Sequence, residues 1–217
     1  MNNNLVPPQN IDFSKEKQYL FGASGHAKVV LDILFSNNVK VEAILDDNPK
    51  VSHLSTIPVI HADQFQFNDN QEFIISIGNN VIRKKIVEKN NFKYYLAIHS
   101  DTTVSKFAII EEGTVVMPQA VINSDAKIGK HCIVNSRSVI EHDCVLQDYV
   151  HISPNASLAG NVFVGEGSQI GIGASVIQGI KIGKWVTIGA GAVIINDVPD
   201  YAVVVGNPGK IIKINTK

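Results

Sequence analysis

Two cysteines, Cys132 and Cys144, are all that the 217 residues contain, too few for the disulfide framework of a small secreted domain. Their scarcity points to a reducing compartment. No run of about 18 apolar residues, the length that spans a bilayer, occurs anywhere. Residues 1–17, MNNNLVPPQNIDFSKEK, have neither the apolar centre of a signal peptide nor the Arg/Ser richness of a transit peptide, and read as a flexible extension. Excess charge is missing as well. Nineteen Lys and Arg against twenty Asp and Glu give a net charge of −1 with no basic cluster, which argues against nucleic acid as a partner. These absences describe a cytoplasmic globular protein with no membrane span.

What is present falls into two parts. Over 18–100, short apolar runs alternate with helix-like stretches, the pattern of β-α-β units in a Rossmann-like parallel sheet. Tyr19–Phe21 reads as a first strand, followed by the turn Gly22-Ala-Ser-Gly-His26 and a helix over Ala27–Phe35. Val41–Leu45 and Phe73–Ile77 are further strands, Val81–Lys89 a second helix with Ile82 and Ile86 on one face, and Tyr94–Ile98 closes the unit. Within that helix, Arg83-Lys84-Lys85 reads as a solvated face.

Over 101–217 the period is six. From Val104 to Ile194 every sixth residue is aliphatic, and the residue four places further along each hexad is mostly small or β-branched. Such repetition predicts an all-β left-handed parallel β-helix with three hexads per coil, about five coils, and stacked residues 18 positions apart. Gly129, Gly165, Gly171, Gly183 and Gly189 suit corners that need a small residue or a positive φ. Cys132 and Cys144 fall on inward positions as small hydrophobes. Ile211-Ile212 is expected to dock a tail back on the coils.

Some of these segments carry a resemblance to a known family: Gly22-Ala-Ser-Gly-His26, Leu45-Asp-Asp47, Ile77-Gly-Asn-Asn80 with Ile82-Arg-Lys-Lys85, and Val139-Ile-Glu-His-Asp-Cys144. The repeats resemble those of the hexapeptide-repeat acyltransferases. From Tyr19 to Lys210 the chain is similar to their nucleotide-sugar N-acetyltransferases of bacillosamine and related amino-sugar pathways, with sialic-acid O-acetyltransferases as relatives. The resemblance implies a homotrimer with acetyl-CoA in the groove between adjacent prisms and a UDP-linked 4-amino sugar on the N-terminal domain. It implies His142 as catalytic base and Asp143 as the carboxylate that polarises it. His151, Gly160, Ile172 and Ala190 then correspond to acetyl-CoA contacts, and Asn135 to a residue near the sugar amine. Ser24, Gly25 and His26 match a diphosphate-binding turn, Asp46 and Asp47 uracil and ribose contacts, and Gly78 a further substrate contact.

The chemistry of the residues agrees with that assignment. Acyl transfer from a thioester needs a base for the nucleophile, and imidazole titrates in the right range. Asp143 or Glu141 can orient it, but strand alternation separates sequence neighbours unless they sit at a corner. His142 and Gly160 differ by 18, so a missing side chain above the imidazole leaves room for a ligand. Ile172 and Ala190 differ by 18 too, a line suited to a pantetheine arm. Gly22-x-x-Gly25 opens a helix whose first amides favour phosphate.

Two rivals stay open, O-acetylation of a sialic acid or another sugar, and a nucleotide-sugar-binding trimeric module without turnover. A zinc enzyme of the carbonic anhydrase type needs three converging histidines. The coils hold only His131, His142 and His151, so no metal is expected.

Overall fold

The computed structural model describes residues 17–216; residues 1–16, most of the expected flexible extension, lie outside them. Lys17 already belongs to a strand.

β1 (Lys17–Phe21), α1 (Gly25–Ser36), β2 (Val41–Asp46), β3 (His53–Leu54), β4 (Ile57–His61), β5 (Gln71–Ile75), α2 (Asn80–Lys89) and β6 (Lys93–Tyr94) form the first unit. Its sheet runs β3-β4-β2-β1-β5-β6, parallel throughout except for the β3–β4 hairpin. β1 is central, and its Tyr19–Phe21 stretch is apolar and buried, as a strand covered on both faces must be. α1 buries Ala27, Val30, Leu31, Ile33 and Leu34. Gly22, at φ +110°, follows β1, and a Cβ there would lie 2.4 Å from Ile77 Cγ1. The sequence reading missed the hairpin, whose His53–Leu54 strand is too short to show alternation.

α2 departs from expectation. Ile82 is 48% exposed, and the buried face is Asn80, Arg83 and Ile86. The helix turns its polar stripe inward because it docks on backbone carbonyls instead of on an apolar surface. Arg83 is therefore no part of a solvated face.

The second unit is a three-sided column of two-residue rungs. Its first face stacks Ala97–Ile98, Val115–Val116, Ile133–Val134, His151–Ile152, Gln169–Ile170 and Thr187–Ile188. The second runs from Thr103–Val104 to Val193–Ile194, and the third from Ile109–Ile110 to Lys181–Ile182. Each rung up to Ser175–Val176 pairs in parallel register with the one 18 residues on. The aliphatic ladder from Val116 to Ile194 fills the interior with Ala120, Cys132, Cys144, Ala156 and their equivalents. Each Val, Leu or Ile of the ladder contributes about 1.5–3 kcal/mol on burial. The column starts one hexad before the expected boundary, because Ile98 continues the ladder backwards from Val104 and its rung pairs with Val115–Val116.

Backbone handedness makes the corners. From Gly113 to Gly191 every sixth residue has positive φ, and most of these are not glycine: Gln119, Asp125, His131, Arg137, Asp143, Tyr149, Asn155, Asn161 and Trp185. Gly129, Gly165, Gly171, Gly183 and Gly189 are absent from that set. They are small because the next coil is close. A Cβ on Gly165 would lie 2.6 Å from the Gly183 carbonyl.

The tail returns to the coils as expected, but through its backbone and not through buried isoleucines. Ala202–Val205 joins the first face, and Lys210–Ile214 pairs with it antiparallel. Ile211, Ile212 and Ile214 stay exposed, since a strand added at the end of a face has nothing packed on either side.

Gly165→Ala places a methyl against backbone that cannot move alone, so it should cost about 1–3 kcal/mol, read as a lower urea midpoint at unchanged slope.

Candidate active site

His142 and Asp143 occupy the corner between the second and third faces, following the rung Val139–Ile140. Asp143 has φ 60°, and this left-handed residue folds its carboxylate back beside the preceding ring. Oδ2 lies 2.7 Å from His142 Nδ1. Glu141 reaches only the backbone N–H of His142, at 3.4 Å. With Nδ1 donating to Asp143, Nε2 is left with its lone pair. The ring is 62% exposed. Its pKa is raised, first by the Asp143 hydrogen bond.

Gly160 stands one coil away, and Asn161 N–H donates to the His142 carbonyl (2.9 Å). A Cβ on Gly160 would lie 2.6 Å from His142 Cε1 and 2.7 Å from Nε2. The expected vacancy for a ligand is thus occupied by the imidazole itself. The glycine is a seat for the ring, because any side chain there would push the imidazole off its corner.

A second group lies where the first unit meets the column. His26, on the first turn of α1, lies against Gly78, whose added Cβ would sit 4.0 Å from His26 Cγ. His26 Nε2 is buried with no hydrogen-bond partner among the described residues. His151 projects from the first face. Asn135 Oδ1 accepts from Ser136 N–H (2.8 Å), which orients the amide so that Nδ2 donates to His151 Nε2 (3.1 Å). The His151 proton is then on Nδ1. Burial, followed by the charge of Arg83, lowers His26 to about 4. The same causes, with His26 third, bring His151 to about 3. Both are neutral hydrogen-bonding groups at physiological pH. A cleft of about 380 Å³ lies between Asn79 and Asn80 of the first unit and Gln169 and Thr187 of the column.

Ser24 and Gly25 open α1 on the exposed side, and the Ser24 side chain makes no cap bond. Ala27 N–H donates to the Ser24 carbonyl (3.1 Å), and the amides before it are left to solvent or an anion. Asp46 holds that turn: its Oδ2 accepts from Ala23 N–H (2.7 Å) and Oδ1 from Asn48 N–H (2.8 Å). Asp47 is exposed beside it. Ile172 and Ala190 are exposed on the edge between the first and second faces, one coil apart, with Gly191 N–H donating to the Ile172 carbonyl (2.8 Å).

The column therefore divides these residues. The His142 corner is the edge opposite the first face, which carries His151. No hydrogen bond or ion pair among the described residues joins the two groups. His131 belongs to neither, being buried between Tyr94 and Tyr149, ring centroids 4.4 and 5.4 Å away. Cys132 and Cys144 are buried, each thiol on a backbone carbonyl at 3.2 Å. Among the described residues no group of three His, Cys, Asp or Glu side chains could hold a metal ion, and no helix is long and apolar enough to cross a membrane. Sequence reasoning missed Asn80 and Arg83 at the junction, although their i, i+3 spacing with Ile86 marks one helix face.

Residues 17–90 match the family described as PglD N-terminal domain. Residues 107–142, 125–160 and 161–196 match the bacterial transferase hexapeptide family. The UDP-N-acetylbacillosamine N-acetyltransferase of Bacillus subtilis is 39% identical over 107 residues, 45% of this chain and 50% of that protein. The chain thus spans about half the length of that curated relative. The acetyltransferase domain of PglB from Neisseria gonorrhoeae, solved with acetyl coenzyme A, is 39% identical with a TM-score of 0.86, covering 91% of this chain and 100% of that one. A histidine-to-alanine mutant of GDP-perosamine N-acetyltransferase from Caulobacter crescentus, solved with CoA and GDP-perosamine, is 34% identical with a TM-score of 0.84, covering 91% and 97%.

An NMR titration should find His142 protonating above the ordinary imidazole range, and Asp143→Asn should move its midpoint down. An unchanged midpoint would show that the 2.7 Å contact does not persist in solution.

Proposed function

The chain belongs to the hexapeptide-repeat sugar N-acetyltransferases with a PglD-type N-terminal domain, and on that premise we propose that it acetylates the 4-amino group of a UDP-linked amino-deoxy sugar from acetyl-CoA. One observation carries the reading: an exposed imidazole whose Nδ1 is held by a carboxylate at 2.7 Å, with Nε2 open. Such a base takes a proton from the attacking amine.

The amine nitrogen attacks the thioester carbon as its proton passes to His142 Nε2. Asp143 stabilises the imidazolium formed. Collapse of the tetrahedral intermediate breaks the C–S bond, and the imidazolium returns its proton to the departing thiolate. The products are the acetamido sugar and CoA. No acyl-enzyme is needed, and Cys144 is fully buried. Backbone N–H groups near Gly160 are the donors proposed for the oxyanion. His142 must be neutral to act, so the Asp143 contact, by raising its pKa, moves the acid limb of the rate profile upward.

The placement of the groups supports a site shared between copies in a homotrimer. The His142 edge of one copy faces the Asn135, Ile172 and Ala190 edge of the next, and acetyl-CoA lies in the groove between them. The nucleotide diphosphate sits on the Ser24–His26 turn, with Asp46, Asp47 and Gly78 around the nucleotide and sugar, and His26, Asn135 and His151 toward the amine. Reduced, buried thiols accord with a cytoplasmic site of action.

Acetyl-CoA with a panel of UDP- and GDP-amino sugars and sialic acid, followed by thiol release, tests the substrate. Turnover is expected with a nucleotide 4-amino sugar. Turnover only on a hydroxyl acceptor would make the chain an O-acetyltransferase, and binding without turnover a passive module. His142→Ala should lose at least about a hundredfold in kcat while still binding acetyl-CoA. Co-expressed with His26→Ala, it should regain part of the activity in mixed oligomers, because some sites then take both native residues. Failure to recover would place both residues in one chain's site.

A further inference from the structure

The corners of the column leave a row of acceptors that the coils do not satisfy. His131, Tyr149 and Gly167 follow one another at 18-residue spacing between the third and first faces, with φ of 54°, 61° and 68°. Their carbonyls accept no backbone amide of the column. Buried carbonyls of this kind need donors from elsewhere.

α2 supplies them. Arg83 Nε donates to the His131 carbonyl (2.8 Å) and Nη2 to that of Tyr149 (2.9 Å), while Asn80 Nδ2 donates to that of Gly167 (2.9 Å). The rest of the guanidinium grips the loop before the helix. Nη1 donates to the Ile77 and Gly78 carbonyls (3.0 and 3.2 Å), and Nη2 also to Asn80 Oδ1 (2.8 Å). Arg83 is 1% exposed and forms no ion pair with a carboxylate among the described residues. Burial lowers its pKa to about 10, so it stays cationic. A buried cation without a counter-ion is a poor way merely to glue two units together. A planar fork reading carbonyls from both units is a good way to fix their geometry.

The geometry it fixes is that of Gly78, whose backbone lies beside the rings of both His26 and His151. We propose that Arg83 is a positioning residue of the amino-sugar pocket: by tying the Ile77–Gly78 loop to two corner carbonyls of the column, it sets the separation of His26 from His151. The inference rests on reading that pocket as the amino-sugar site. Arg83 and the other ring are the charged or titratable groups facing His151, and Arg83 faces His26.

Three variants test it. Arg83→Lys keeps the charge and removes the fork, and Arg83→Met removes both. Lys84→Ala deletes the neighbouring Lys84–Glu166 contact, which touches neither ring. In Arg83→Lys the KM for the nucleotide sugar should rise about tenfold or more with that for acetyl-CoA nearly unchanged, and Lys84→Ala should leave both as in the wild type. Equal changes in both KM values, or a lower Tm with unchanged kinetics, would reduce Arg83 to a structural pin and overturn the proposal. ¹⁵N-histidine NMR reads the pocket without turnover: Arg83→Lys should shift the His26 and His151 ring signals while both stay neutral, and Arg83→Met should raise their protonation midpoints. If no amino sugar is turned over by the wild type, the function assigned above fails, and ring signals unchanged in Arg83→Lys would then overturn the positioning role on their own.

Discussion

A left-handed residue at every sixth position, from Gly113 to Gly191, is the constraint on which this molecule is built. For a residue with a Cβ that conformation costs about 1–2 kcal/mol, and nine of the fourteen carry one. The column sustains the strain because each corner returns an aliphatic residue to a dry interior and a rung to the ladder of the coil before it. The functional arrangement inherits from the same corners. Asp143 is such a residue, and only a turn of this hand brings its carboxylate to the neighbouring imidazole. His131, Tyr149 and Gly167 are others, and their outward carbonyls are what α2 docks on.

On the function proposed above, the column separates chemistry from recognition. One edge holds an imidazole that is exposed, hydrogen-bonded to a carboxylate and raised in pKa. The opposite face, under the PglD-type unit, holds two histidines that are buried, near a guanidinium and lowered. Two imidazole environments of opposite sign suit two tasks, proton transfer at the first and uncharged hydrogen bonding at the second. A rigid prism cannot fold one edge onto its opposite face, so in the proposed trimer the two groups meet between copies.

Much of this was legible in the residues. The hexads announced the column, its register and its interior, because a repeat that buries one aliphatic residue in six leaves little else for the chain to do. The Gly22–His26 turn and the strand before it were plain for a similar reason: apolar run, glycine, helical spacing. His142 stood out only through family resemblance, and the choice between Asp143 and Glu141 turned on the corner backbone, which composition does not show. Gly160 was misread because stacking gives which residues are neighbours but not which side chain fills the gap. Arg83 was invisible for a deeper reason. Its acceptors are main-chain carbonyls, which leave no trace in side-chain patterns, so a buried arginine beside two lysines looks like any solvated face. The tail does return to the coils, but through its backbone, and apolar content alone did not show that its isoleucines would face outward.

In the proposed trimer, one copy's imidazole and another copy's sugar pocket make a single reaction centre. A crystal structure with CoA and an amino-sugar nucleotide would reveal it. The sugar amine should lie within hydrogen-bond reach of His142 Nε2 from one subunit, with the diphosphate on the Ser24–His26 turn of its neighbour. An amine lodged away from that imidazole, or both ends of the ligand held by one chain, would contradict it.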